Sequence, residues 1–330
     1  MALIKFRYWM IALLLACTTA VTEAKDDNPA YTDPDEAGID FKIQGEYDGV
    51  LQADGSRWGA QIVALGDGQF RCIGFFGGLP GDGWQRGDES NEGVGKLNGE
   101  VVVVQAERFK LRIDGERLLV ETNDGDPIGE LKKKHRKSPT LGAKPPEGAI
   151  VLFDGTGVDQ WNDGEIAEGK WLAATNPSSK EEFGDHHLHL EFRTPFMPRS
   201  RGQGRGNSGV YVQSRYEVQV LDSFGLDGKN NECGGIYSIG EPDVNMCLPP
   251  LSWQTYDIDF TAAKFDDDGN KLANARATIK HNGVVVHDDI ELPHTTPGRI
   301  TTEDASPAPL YLQDHSNPVV FRNVWVVPKN

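Results

Sequence analysis

Residues 205–223 read R-G-N-S-G-V-Y-V-Q-S-R-Y-E-V-Q-V-L-D-S, two alternating apolar–polar runs back to back. Period-two alternation is the pattern of a strand with one face in a core and one face free. In the first run Val210 and Val212 face one way, Tyr211 and Gln213 the other. In the second, Tyr216, Val218 and Val220 share a face opposite Glu217, Gln219 and Leu221. A two-residue turn would mix these faces. A three-residue loop over 214–216 pairs Gln213 with Glu217 and Tyr211 with Gln219, which gathers the polar side chains on one open face, where a one-residue slip would scatter them. A face of Tyr, Gln and Glu side chains suits a sugar.

The same alternation recurs on both sides of this hairpin. Residues 187–193 place Leu188, Leu190 and Phe192 inward and His187, His189, Glu191 and Arg193 outward. Residues 253–260 alternate again. Asn282-Gly283 between 275–281 and 284–287 is a strong two-residue hairpin signal. Helical periodicity is scarce and glycine abundant, at 38 residues. The expected class is all-β: a C-terminal jelly-roll β-sandwich over 148–330, preceded by a small all-β domain over 39–131. In the small domain, strands at 58–65 and 69–76 flank a glycine turn and 109–113 pairs with 117–121. Residues 77–95 read as a long glycine- and aspartate-rich loop. Residues 25–38 read as a flexible lead-in, and 132–147, basic and then proline-rich, as a solvated tether.

Residues 1–24 have the form of a secretory leader, with Lys5 and Arg7 ahead of a short apolar run. This places the chain outside the cytoplasm, secreted or periplasmic, with no segment long enough to span a bilayer. L-L-A-C at 14–17 also approaches a lipobox, which offers a lipid anchor at Cys17 as the alternative. Removal of the leader leaves Cys72, Cys233 and Cys247. Cys233 and Cys247 could staple a loop, or all three could be free buried thiols. A net charge of −17 argues against a nucleic-acid partner held through phosphates.

Three groups could carry chemistry. His187, His189 and Glu191 on one strand face form a candidate divalent-metal set, set against an ordinary polar sheet face. Glu217 resembles one half of the carboxylate pair of sandwich glucanases, but its strand partner is Gln219, which cannot ionise; Glu191 is the other candidate acid. Q-D-H-x-N-P at 313–318 is a dense polar cluster in which His315 could act as acid or base.

Ordered motifs then converge: I-V-L-F-D-G at 150–155, H-L-H-L-E-F-R at 187–193, G-N-S-G-V-Y at 206–211, Y-E-V-Q-V-L-D-S at 216–223, C-G-G-I-Y at 233–237, W-Q-T-Y-D-I at 253–258, H-N-G-V at 281–284, L-Q-D-H-S-N-P-V at 312–319 and F-R-N-V-W at 321–325. Over residues 148–328 they resemble the 3-keto-disaccharide hydrolase domain. The resemblance implies a concanavalin A-like sandwich acting on a carbohydrate already oxidised at C3. A C3 ketone acidifies the C2 proton, so one base can remove it, expel the C1 substituent and let water add back. Such a site needs one carboxylate, a donor to the enolate and a donor to the leaving oxygen. On this reading Glu217 is the base and His315 or Glu191 the proton donor. Arg193, Asn207, Tyr211, Gln213, Gln219 and Gln313 hold the sugar, and a metal at the ketone would bring in His189. A non-catalytic carbohydrate-binding module and an ordinary glucanase-like hydrolase are the alternatives.

Overall fold

The computed structural model describes residues 28–106 and 109–329. The leader and Cys17 lie outside the described residues. Among those described, no helix is long and apolar enough to cross a membrane.

The first unit is a closed barrel. Its eight antiparallel strands are Gly45–Val50, Arg57–Gly66, Gln69–Phe76, Ser90–Asn98, Val101–Gln105, Phe109–Ile113, Arg117–Thr122 and Pro127–Lys134. Each pairs with its neighbour in the chain, and the last pairs with the first. Closure removes the unpaired edges that would otherwise invite aggregation. Ala60, Ile62, Phe70, Cys72, Val102, Val104, Ile113 and Leu118 point inward. At one end Ile43 of the short helix Gly38–Ile43 and Phe196 from the following unit complete the core, and Tyr47 donates its hydroxyl to Ile43 O at 2.7 Å.

Overlapping the end of the stretch expected to be loop, 77–95, Ser90–Asn98 is a barrel strand. Apolar alternation is weak because two inward positions are Gly93 and Gly95, which leaves Leu97 as the apolar residue packed on the core from this strand. A Cβ at either would stand 2.9 Å from a Val104 methyl or 2.6 Å from a Val102 methyl, so this wall is close-packed only without side chains.

The second unit is a β-sandwich. Its larger sheet runs Ile166–Ala167, Trp171–Ala173, Val320–Pro328, His186–Arg193, Gln254–Thr261, Ala275–His281, Val284–Leu292, with Ile150–Phe153 also paired to Val320–Pro328. The smaller runs Trp161–Asn162, Ser178–Phe183, Ala308–Asp314, Ser208–Val212, Tyr216–Val220, so the last of these is an edge strand. Between the sheets lie Leu188, Leu190, Phe192, Val210, Val218, Ile258, Leu312 and Val324. The Asn282-Gly283 hairpin forms as expected, with His281 opposite Val284.

The opening hairpin keeps its faces but not its register. Tyr211 pairs with Glu217, Gly209 with Gln219 and Val212 with Tyr216, so the turn is 213–215. Gln213 and Ser214 both adopt positive φ there, which closes the loop one residue earlier than expected. The pairing therefore shifts by two positions, and a shift of two preserves sidedness.

Two segments expected to be loose are tied down. Tyr31 exchanges both backbone hydrogen bonds with Phe196, so the lead-in is anchored within 28–38. Lys132 to Lys134 belong to the last barrel strand, Lys134 and Arg136 pair with Asp82 and the buried Glu46, and residues 138–143 lie across the larger sheet. Within the basic run Lys134 and Arg136 are held by the barrel's own acids, while Lys132, His135 and Lys137 are exposed.

The barrel packs its outer face on the sandwich. Val63, Ile73 and Phe75 join the cluster containing Phe224 and Met246. Arg205 then reaches from the sandwich to Ala64 O at 3.1 Å, while its Nε holds Asp222 at 2.7 Å. Cys72, Cys233 and Cys247 are all buried and free, so no staple joins 233 to 247.

Candidate active site

The outer face of the smaller sheet carries the polar residues of the opening hairpin in two rows. Pairing places Gln313, Gly209 and Gln219 in one row across three strands, and Tyr311, Tyr211 and Glu217 in the next. Gly209 at the middle is required: a Cβ there would collide with Glu217 Oε1 and meet the Tyr211 ring. The missing side chain is the space the carboxyl group occupies.

Glu217 is 3% exposed. Burial pushes its carboxyl up to about 7, against the opposing pull of the Tyr211 hydroxyl. Tyr211 Oη lies 2.8 Å from Glu217 Oε2 and also 2.8 Å from Pro297 O, and Gln313 Nε2 is 3.3 Å away. A phenol has one proton and two acceptor lone pairs. When Glu217 is ionised, Tyr211 donates to it and Pro297 O goes without. When Glu217 is protonated it donates to Tyr211, Tyr211 donates to Pro297, and all are satisfied. The carboxyl thus carries a proton comfortably and, once ionised, is a strong, desolvated base. Tyr211, raised far above the phenol value mainly by burial, stays a neutral donor. No other carboxylate perturbs Glu217.

The other residues expected at this site divide. Gln219 shares the face, but its amide donates to Asn207 Oδ1 at 2.8 Å and Ser208 O at 2.9 Å, and Asn207 in turn bonds Gln203 and Asn317. Both brace the strand ends. Gln213 sits in the turn, bonded to Phe183 O and Arg215. His315 is exposed in the turn just beyond the strand Ala308–Asp314 that carries Gln313.

Glu191 and Arg193 do not join this face; they lie on the larger sheet. Arg193 pairs with Glu168 and stacks over Trp253. Glu191 is buried and receives Arg322 Nε at 2.6 Å, Gly142 N at 2.6 Å and Asn323 Nδ2 at 3.0 Å. Burial would raise its carboxyl, but His189, Asn323, Gly142 and Arg322 together hold it at about 2. Paired with Arg322 and covered by Gly142 on the other sheet, Glu191 does not share a face with Glu217, which the reading of the two as acid and base requires. His189 gives Nδ1 to Asp257 Oδ1 at 2.6 Å and stacks on Trp325, and His187 is half-buried beside it. Among the described residues, no three His, Cys, Asp or Glu are grouped to hold a metal ion. The linker explains the burial, because Thr140 and Gly142 cap Asp257 and Glu191.

Three participants had no signal in the sequence. Tyr311 packs on Tyr211 with ring centroids 5.4 Å apart. Thr296 Oγ1 accepts the Glu217 amide at 2.9 Å, and Pro297 accepts from Tyr211. The last two arrive from a loop some 80 residues along the chain, with no repeat or spacing linking it to the hairpin.

Residues 148–327, more than half of the chain, match the model of the 3-keto-alpha-glucoside-1,2-lyase-like domain. The chain belongs to that family. A crystal structure of a Parabacteroides distasonis protein provisionally assigned as a glycosyl hydrolase is 31% identical, with a TM-score of 0.51 over 56% of this chain and 85% of the other. A second such protein from the same organism is 16% identical, with a TM-score of 0.40 over 56% of this chain and 95% of its own. No curated protein matches the chain.

With the Glu217 carboxyl bonded to the Tyr211 hydroxyl, Tyr211→Phe becomes a direct probe of it. Removing the hydroxyl takes away the only hydrogen bond that favours ionised Glu217. The rising limb of kcat/KM against pH is expected to move about one unit to alkaline, the size of a hydrogen bond to a charged group. A limb that stays in place would show that Tyr211 does not set the ionisation.

Proposed function

We propose that the sandwich cleaves 3-keto-glycosides by elimination across C1 and C2 followed by hydration. One observation carries this reading: a buried carboxyl, raised to about 7 and bonded to a phenol, whose paired and adjacent positions on the sheet are Tyr211, Tyr311, Gly209, Gln219 and Gln313, none of them an acid. A glycosidase of the ordinary kind uses two carboxyl groups about 5 to 9.5 Å apart. Elimination needs one base. Glu217 takes the C2 proton of the 3-keto sugar, the electron pair forms the C1–C2 double bond, and the C1–O bond breaks. The departing oxygen takes a proton from His315 or from water, and water then adds at C1. Gln313, whose amide carries a second N–H beyond the one aimed at Tyr211, can donate to the sugar oxygens as charge builds. The family description names the same bond, and the P. distasonis relative supports a carbohydrate-cleaving enzyme.

The test is a panel of 3-keto-trehalose and 3-keto-sucrose beside the unoxidised disaccharides, run in D2O. The reading expects cleavage of the oxidised pair only, with deuterium entering C2 faster than in enzyme-free controls. Glucose release from unoxidised sugars would overturn elimination. Saturable binding without turnover of any of them would favour a carbohydrate-binding module.

A further inference from the structure

Inside the N-terminal barrel lies a cavity of about 200 Å3 that the core does not fill. Its floor is formed by Ile62, Cys72, Val104 and Leu131, all buried, and its mouth by Leu51, Trp58, Phe109 and Ile128, all half-buried. These mouth residues belong to the barrel end opposite the one plugged by Ile43 and Phe196. One end of the barrel is therefore stoppered and the other is left with an apolar opening.

Eight strands enclose an interior that is either filled by side chains or holds one small ligand. Here part of the wall carries little side chain to fill it: Ala60 and Gly74 line the space, and a Cβ at Gly74 would meet nothing closer than the Trp58 ring at 3.7 Å. Among the described residues no Lys, Arg or His lines the space, and the one carboxylate of its lining, Glu92, is exposed and paired with Arg71. The thiol at its floor, Cys72, is pushed up to about 12 by burial and stays neutral. A charged group inside would be desolvated without a partner, at a cost that forbids it. An engineered apolar cavity of about 150 Å3 is enough to take up benzene.

We infer that the barrel is a binding module for a small, uncharged, apolar molecule the size of one substituted aromatic ring, seated between Trp58 at the mouth and Leu131 at the floor. It lies in the half of the chain that the family match does not cover, and it is independent of the chemistry proposed for Glu217.

The test uses the full chain with toluene and, as a charged molecule of the same ring size, benzoate. Toluene is expected to raise the melting temperature saturably, by about 2–4 °C at ten times its Kd, and benzoate to leave it unchanged. Ala60→Phe, which fills the space from the wall, should abolish the toluene shift. Because that variant could fold poorly, wild-type crystals under xenon pressure supply a second measurement, with xenon expected between Trp58 and Leu131. Equal shifts with toluene and benzoate, a toluene shift that survives in folded Ala60→Phe, or no shift together with no xenon would each overturn the proposal. The last outcome would mean that the chain fills the barrel itself.

Discussion

Glu217→Gln is expected to lower turnover of a 3-keto-glucoside by about 10²–10⁴-fold, the usual worth of a general base, while making the protein more stable at pH 8. The two effects share one cause. In the native state the carboxyl is raised to about 7, and in the unfolded chain it returns to about 4.5. Between those values the folded protein holds a proton that the unfolded chain has released. Stability therefore falls as pH rises through this window. At 1.36 kcal/mol per unit the loss is at most about 3 kcal/mol above pH 7. Gln keeps the shape and the acceptor for Tyr211 and never ionises, so the variant escapes that loss. Urea denaturation midpoints at pH 5 and pH 8, with kcat/KM at pH 8, check both halves. A variant that keeps full activity would remove Glu217 from the mechanism. One that shows the wild-type fall in stability would remove its raised ionisation.

Arg205→Met is expected to be the most damaging single change away from the site, at about 3–5 kcal/mol. Arg205 and Asp222 are both buried and joined at 2.7 Å, and the same guanidinium bonds Ala64 O on the barrel. Deleting the cation leaves Asp222 charged in a dry place, with only the Phe224 amide at 3.3 Å. Removing both charges together, as Arg205→Met with Asp222→Leu, should recover most of the loss, because a buried pair contributes little net once both members go. Denaturant midpoints of the two variants decide it. If the double variant is as unstable as the single, the cost lies in the lost contact with the barrel, not in the stranded charge.

Much of the fold was legible wherever one strand face meets a core and the other does not. Leu188, Leu190 and Phe192 against His187, His189 and Glu191 gave both sidedness and strand, and the Asn282-Gly283 turn gave its hairpin to the residue. Legibility failed where the second face is also covered. The sequence cannot show that residues 138–143 fold back over His189 and Glu191, so an outward face read as an open one. It failed again at Ser90–Asn98, where the strand needs empty inward positions and so carries little apolar signal. At the site, alternation placed Tyr211, Glu217 and Gln219 on one face correctly. The shifted pairing mattered more than sidedness, because it set Gly209 in the middle of the face. Most of the polar residues proposed to touch sugar are bonded to the protein itself, as only three-dimensional bookkeeping of donors and acceptors could reveal.

The edge position of Tyr216–Val220 has one more effect. The amides of Glu217 and Gln219 point away from the sheet and are held by Thr296 Oγ1 and Gly235 O, both at 2.9 Å, whereas Val218 pairs inward with Val210. Along this strand alternate amide hydrogens are therefore guarded by different parts of the molecule. Those of 217 and 219 exchange with solvent whenever the flanking loops lift, and that of 218 only when the strand leaves the sheet. Deuterium uptake at alternate residues would separate the opening that uncovers the carboxyl from unfolding of the sandwich.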